Sequence, residues 1–381
     1  MDFKEIISYI KECHGNRGTT PLHAPIFQGN EKKYLADTID SSFVSSVGAY
    51  VNRAEEMLAH VAGVEKVAAV VNGTSALQVS LRLAGVQSGD EVITQALTFV
   101  ATTNAIAYNG AIPVFVDVDI DTMGLSPKAL GEFLEQHGEL RENGCYNKGT
   151  GRKISACVPM HTFGFMCEMD DLSSVCSKWR VPVVEDAAEA LGCKYKGKAA
   201  GSLGDLGVYS FNGNKVITSG GGGAIVAQKT DLVDQAKYLT TTAKVPHKWE
   251  YLHDKMGYNF RLPNVNAALL CAQLEQLDTF IASKRGLYEQ YSLYFKGKGL
   301  NLKPIPTHTE WNYWLVSVEL EDRKEQQAFL KSTNEKGVMT RPIWQLMYRL
   351  PMYATCQRDG QENAQFLEER IVNIPSSARK A

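Results

Sequence analysis

Val181-Pro-Val-Val-Glu-Asp186-Ala-Ala-Glu189 and Val208-Tyr-Ser210-Phe-Asn212-Gly-Asn-Lys215 bracket the stretch that decides the fold. The first is a short apolar run ending in a carboxylate. The second is another short strand, and it delivers a hydroxyl, an amide and an amine. Behind it comes Thr218-Ser-Gly-Gly-Gly-Gly-Ala-Ile-Val-Ala, glycines that let backbone pack close, then one more strand. Taken singly, an acid in a loop or a lysine on a surface carries no chemistry. An acid at one strand end and a lysine just past another is the pairing that pyridoxal phosphate needs. The carboxylate keeps the pyridine nitrogen protonated, and the amine binds the aldehyde.

Outward from this stretch, strand and helix signals alternate from about residue 66 to 240. Val67-Ala-Ala-Val-Val71 is a short strand, and Leu77, Leu81 and Ala84 mark one face of the helix that follows it. Glu91–Thr94 and Pro113–Asp119 are further strands flanking a helix near 101–109. Ser126-Pro127 opens a capped helix with proline at its first position. Ser155–His161 is the next strand, a helix follows around 169–180, and then comes the strand ending at Asp186. This alternation predicts an α/β fold with a mostly parallel sheet covered on both faces. Residues 141–153 interrupt it with a basic, glycine-punctuated insertion that reads as an exposed hairpin or loop.

From about 264 the texture changes to α+β. Leu270, Leu274, Leu277 and Ile281 recur at helical spacing in one long helix running toward Phe295. Trp314 and Val316 alternate along a strand, and a charged helix follows near 322–336. The division expected is an N-terminal arm and large cofactor-binding domain over 1–263. A connecting helix and a smaller C-terminal domain fill 264–381.

Composition narrows the classes. The chain has 381 residues, 44% of them apolar and 22% charged, in the ordinary globular range. A net charge of −2 argues against a binder of nucleic acid driven by phosphate neutralisation. No apolar run approaches a membrane span, and residues 1–20 do not read as a secretory signal, so a cytoplasmic protein is expected. The eight cysteines include no C-x-x-C pair, and with the eight scattered histidines they suggest no metal site. Cys157 and Cys271 sit in apolar segments and read as core residues.

Asn72-Gly73-Thr74-Ser75 lies between a strand and a helix, where free N–H groups and the helix dipole favour an anion. Alone it reads as a cap. Beside Asp186 and Lys215 it reads as a phosphate cup, with Ser210 adding a hydroxyl.

With these residues in place, the chain resembles the DegT/DnrJ/StrS family of pyridoxal-phosphate-dependent nucleotide-sugar aminotransferases, on the type I aminotransferase fold. Matching stretches include Phe43-Val-Ser-Ser46, Asn72-Gly-Thr-Ser-Ala-Leu77, Gly89-Asp-Glu-Val-Ile-Thr94, Glu185-Asp-Ala-Ala-Glu189, Tyr209-Ser-Phe-Asn-Gly-Asn-Lys215, Gly257-Tyr-Asn-Phe-Arg261 and Thr340-Arg-Pro342. The Ser-Phe-Asn-Gly-Asn-Lys form, the glycine run and Leu239-Thr-Thr-Thr-Ala-Lys244 are similar to the branch that aminates 4-keto-6-deoxy-N-acetylhexosamine nucleotides. That branch serves routes to legionaminic acid, bacillosamine and related surface sugars.

The resemblance implies Lys215 as the cofactor-bearing lysine and proton shuttle, and Asp186 as partner of the pyridinium nitrogen. It implies Phe99 stacked on the ring, and Thr74, Ser75 and Ser210 at the phosphate. Asn259 would reach the phosphate from a second subunit, in a homodimer with shared active sites. Pyridoxal 5′-phosphate would be the cofactor, with pyridoxamine phosphate as its intermediate form. Glutamate and 2-oxoglutarate would be the amino donor and its product. Two positions depart from the family pattern. Glu189 stands where many relatives carry Gln or His near the cofactor's phenolic oxygen. Phe165, in His161-Thr-Phe-Gly-Phe165, stands where a polar residue is common, and would alter the pocket lining. Three rivals remain. One is a sugar dehydratase of the same fold, which has His in place of the lysine. The second is a non-catalytic sensor, and the third is an amino-acid aminotransferase using Arg341 for the substrate carboxylate.

Overall fold

The computed structural model describes residues 3–16 and 18–380. Seven strands build the central sheet: β1 (Val67–Val70), β2 (Glu91–Gln95), β3 (Ile112–Val116), β4 (Lys153–Val158), β5 (Val184–Asp186), β6 (Leu206–Ser210) and β7 (Gly223–Val226). Their spatial order is β3-β2-β4-β5-β6-β7-β1. Parallel bridges Cys157↔Val183 and Met160↔Asp186 join the β4 and β5 segments. β2 pairs parallel with β3 and β4, and β6 pairs parallel with β5. Only β7 runs against its neighbours β1 and β6. The sheet is mostly parallel, as the alternating pattern predicts.

Both faces are dry because these strands are apolar on both sides, as a crossover-connected sheet requires. One face is covered by the helices Gly73–Leu83, Val100–Tyr108 and Thr230–Thr240, through residues such as Leu77, Ile106 and Val233. The opposite face carries a larger core that includes Leu58, Phe133, Leu172 and Leu270. Caps place the helices where the sequence signals them. Asn72 Oδ1 accepts from the Ser75 N–H at 2.7 Å, Ser126 Oγ from Ala129 N–H at 3.4 Å, and Asp322 Oδ1 from Glu325 N–H at 2.8 Å. Asn72→Ala is expected to cost about 1 kcal/mol of stability by orphaning the Ser75 N–H, read as a lower urea midpoint at unchanged slope.

The 141–153 insertion is a hairpin, Gly138–Arg141 with Gly144–Asn147, that lengthens the sheet beside the start of β4. It is more than an exposed loop. Buried Asn147 donates from Nδ2 to Glu91 Oε2 at 2.8 Å, and Thr150 Oγ1 to Glu91 Oε1 at 2.7 Å.

Two expectations about the C-terminal part need correction. The long helix over 264–295 is two helices, Asn264–Leu274 and Leu277–Phe295, with the break at Gln276 (φ −113°, ψ 1°). The apolar spacing continues through the break, with Leu274 and Leu277 both buried. The Gln276 amide donates to Ala272 O and Glu31 Oε1, drawing that turn toward the N-terminal segment. Trp314 does not share a strand with Val316, because the strand is Val316–Glu319 and Trp314 precedes it.

That strand lies in a four-stranded antiparallel sheet of Asn301–Leu302, Val316–Glu319, Ile371–Ile374 and Arg341–Pro342, in that order. Helix Arg323–Glu335 packs on it. The N-terminal helix Lys4–Cys13 joins this C-terminal layer: Phe3 meets Phe329 at 5.1 Å, and Tyr9 stacks on Tyr294 at 3.6 Å. Thr20 continues the association by pairing with Val338. No helix among the described residues is long and apolar enough to cross a membrane.

Candidate active site

Crossover topology puts the carboxyl ends of β4, β5 and β6 side by side, and open α/β sheets bind ligands at those ends. Asp186 is the last residue of β5, in register with Val208 of β6 and bridged to Met160. Ser210 ends β6, and the turn beyond it carries Asn212 and Lys215. The helix that follows β1 opens at Gly73 directly against Ser210. A Cβ on Gly73 would stand 2.9 Å from Ser210 Cβ, so the close approach needs glycine. Gly223, from the glycine run, has the same reason: its Cβ would meet Asn72 C at 2.5 Å.

These elements enclose a cavity of about 660 Å³ lined by Thr74, Phe99, Asp186, Glu189, Ser210 and Lys215, among others. Six of the eight residues singled out from the sequence therefore share one space. Ser75 is buried and does not line it, and its N–H is taken by the Asn72 cap. Asn259 is exposed and lies outside the lining.

Asp186 is 3% exposed, and burial raises its pKa. Thr102 Oγ1 donates to its Oδ2 at 2.8 Å and Ala188 N–H to its Oδ1 at 3.2 Å, while among the described residues it forms no ion pair. Glu189 is equally buried and its pKa is also raised by burial, against the pull of the Lys215 charge. Its Oε1 lies 3.1 Å from Lys215 Nζ, and its Oε2 accepts from Phe163 N–H at 2.9 Å. Glu189 thus faces the site. Behind Asp186, Glu185 accepts from the N–H groups of Leu203 and Gly204 and from Gly201, and meets His161 Nε2 at 2.8 Å. This buried knot fixes the strand end that carries the acid.

Phe99 presents an aromatic ring that is 50% exposed, an unusual state for a phenylalanine beside a core. Phe165 does not line the cavity. It is buried against Trp311, ring centroids 4.7 Å apart, and Phe163 takes the lining position. The backbone decides this: Phe163 adopts φ 55°, which turns the chain between the two phenylalanines.

Sequence reading missed Thr102, Phe163, Trp314 and Trp344, all in the lining. Thr102 sits one helical turn beyond Phe99, a spacing that could have pointed to it. Nothing local marks Trp314, whose ring lies 4.2 Å from Lys215 Nζ.

The strand ends thus bring together a carboxylate, an amine, an open aromatic face and a helix N-terminus. The chain matches the DegT/DnrJ/EryC1/StrS aminotransferase family over residues 25–379. It belongs to that family and is a pyridoxal-phosphate-dependent enzyme. It is 36% identical to the putative pyridoxal phosphate-dependent aminotransferase EpsN of Bacillus subtilis, covering 87% of this chain and 83% of that protein. It is 34% identical to GDP-perosamine synthase of Escherichia coli O157:H7, covering 93% of each. Among solved structures, DesI in the presence of its TDP-sugar product superposes with a TM-score of 0.81 at 27% identity, over 94% of this chain and 88% of that one.

Proposed function

We propose that this protein transfers the amino group of glutamate to C4 of a nucleotide-linked 4-keto-6-deoxy sugar, of the N-acetylhexosamine class, in the making of a surface glycan. The observation that carries the reading is the meeting of Asp186 and Lys215 in one cavity with the Gly73 helix end. Relatives named for GDP-perosamine and for a TDP-sugar product support a nucleotide sugar as acceptor. The Lys215 amine inside the cavity disfavours both a dehydratase that replaces it with His and a sensor that has no use for it.

The residues present fit the cofactor. Asp186 is a buried carboxylate with a hydroxyl and an amide as partners, and a ring cation would complete it. Thr74, Ser210 and the helix N-terminus would hold a phosphate, and Phe99 offers a ring face. When bound, pyridoxal phosphate supplies an aldehyde for the amine and a ring that withdraws electrons from the carbon losing its proton. Lys215, with its amine free, would take that proton as base and return it as acid, with glutamate and then in reverse with the sugar. Asp186 would keep a proton at the ring nitrogen throughout. Thr102 and the Ala188 N–H orient its carboxylate for that task.

Glu189 is proposed to stay protonated beside the cofactor's phenolic oxygen and to tune its titration, the two acids sharing one proton. Its upward shift by burial favours the neutral form. Glu189→Gln keeps a donor and is expected to be mild. Glu189→Ala is expected to move the absorbance-versus-pH midpoint of the bound cofactor, and an unmoved midpoint would leave Glu189 only its contacts with Phe163 N–H and Lys215.

The enzyme is proposed to work as a homodimer in which exposed Asn259 completes the phosphate site of the other subunit. Mixing an inactive Lys215 variant with an inactive Asn259 variant should then restore part of the activity through hybrid dimers. No recovery after confirmed subunit exchange would remove Asn259 from the site.

The acceptor is tested in reverse, with 2-oxoglutarate and a panel of 4-amino-sugar nucleotides. Glutamate formed from a 4-amino-6-deoxy sugar nucleotide supports the reading. Glutamate formed only from 3-amino sugars or free amino acids overturns the C4 assignment.

A further inference from the structure

The segment Trp311-Asn312-Tyr313-Trp314 lies far in sequence from the residues of the proposed chemistry, yet its side-chain N–H groups reach three of their turns. Trp311 Nε1 donates to Phe163 O at 2.8 Å. Asn312 Nδ2 donates to Glu189 O at 2.9 Å and Leu191 O at 3.0 Å. Trp314 Nε1 donates to Asn214 O, next to Lys215, at 2.6 Å. All three side chains are buried.

The segment is itself fixed from behind. Tyr313 takes φ 56°, a left-handed turn closed by Trp314 N–H on Asn312 Oδ1 at 3.0 Å. Lys284 donates to Tyr313 O at 3.4 Å and to Trp314 O at 3.2 Å, and Ser376 Oγ donates to Trp314 O at 2.8 Å. A backbone held in a sparsely populated region by this many partners is over-determined, as happens where position matters.

From this arrangement we infer that Trp314 is a positioning residue for Lys215, its indole face holding the amine whenever that amine is free. The ring lies 4.2 Å from Nζ, with the Glu189 carboxylate at 3.1 Å as the other contact. Asp186 and the buried imidazole of His23 also face the amine electrostatically. A cation over an indole is attracted by the ring's negative face, so Trp314 favours the parked position of the amine over one swinging free into the cavity. A tryptophan placed only to fill the core would meet Lys215 through its edge or its stem, and the electron density of its ring would be immaterial.

That difference is the test. The inference rests on the proposed role of Lys215, but the measurement uses full-length protein freed of cofactor and is independent of turnover. Trp314 is replaced by site-directed incorporation of tryptophans carrying one to four fluorines, which drain the ring face while nearly preserving its shape. Acetylation of Lys215 by acetic anhydride at fixed pH is followed by mass spectrometry, with exposed Lys178 as internal control. The Lys215 rate is expected to rise stepwise with fluorine number, about threefold over the series. A flat series in folded protein would overturn the inference while leaving the aminotransferase reading untouched. A rising series in a protein without transaminase activity would do the opposite.

Discussion

Lys215→Ala is expected to lower transamination by roughly 10³-fold or more, because the variant loses both the amine that binds the aldehyde and the base that moves the proton. The variant is expected to keep its fold. Lys215 is 12% exposed at the side chain and pairs with Glu189. Removing it leaves the Glu189 carboxylate buried with only the Phe163 N–H, which favours its neutral form and limits the cost. Cofactor affinity is expected to survive in part through the helix N-terminus, Thr74, Ser210 and Asp186. Equilibrium dialysis measures that affinity separately from turnover. Near-normal turnover in Lys215→Ala would remove the residue from the mechanism.

The second large effect belongs to Asp186. Asp186→Asn is expected to slow turnover on the order of 10²–10³-fold by removing a buried charge aimed at the reacting system. An amide cannot hold a proton on a ring nitrogen, yet its oxygen can still accept from Ala188 N–H while its NH2 donates to Thr102 Oγ1, so the melting temperature should change little. Asp186→Ala leaves that hydroxyl and amide without their acceptor and is expected to be less stable than the Asn variant. Turnover at the wild-type rate in Asp186→Asn would contradict the assignment.

How much of this was legible in the sequence depends on whether the signal is local. Asp186 and Lys215 could be read because strand ends are short-range features, and parallel crossover topology then places those ends together. The cap at Asn72 and the hairpin in the 141–153 insertion rest on equally local chemistry. Residues whose direction is set by distant partners were not legible. Phe163 and Phe165 differ by two positions, and only the positive φ at Phe163, braced by Trp311 and Glu189, decides which one faces the cavity. Trp314 reads as strand because no glycine or proline announces the turn at Tyr313, which side chains of Asn312 and Lys284 hold instead. The helix break at Gln276 has the same origin, a side chain captured by Glu31 from the other end of the chain. The N-terminal helix joins the C-terminal layer through aromatic contacts such as Tyr9 on Tyr294, which no local pattern announces.

Asp186 and Lys215 are proposed to run an amino-group transfer from glutamate on bound pyridoxal phosphate. It is tested most directly by the visible absorbance of the purified, cofactor-loaded protein before and after glutamate, with 2-oxoglutarate measured in the same sample. The visible band is expected to bleach with about one 2-oxoglutarate released per chain, and excess 2-oxoglutarate is expected to restore it. A loaded protein whose band survives saturating glutamate, with no 2-oxoglutarate released, would contradict it.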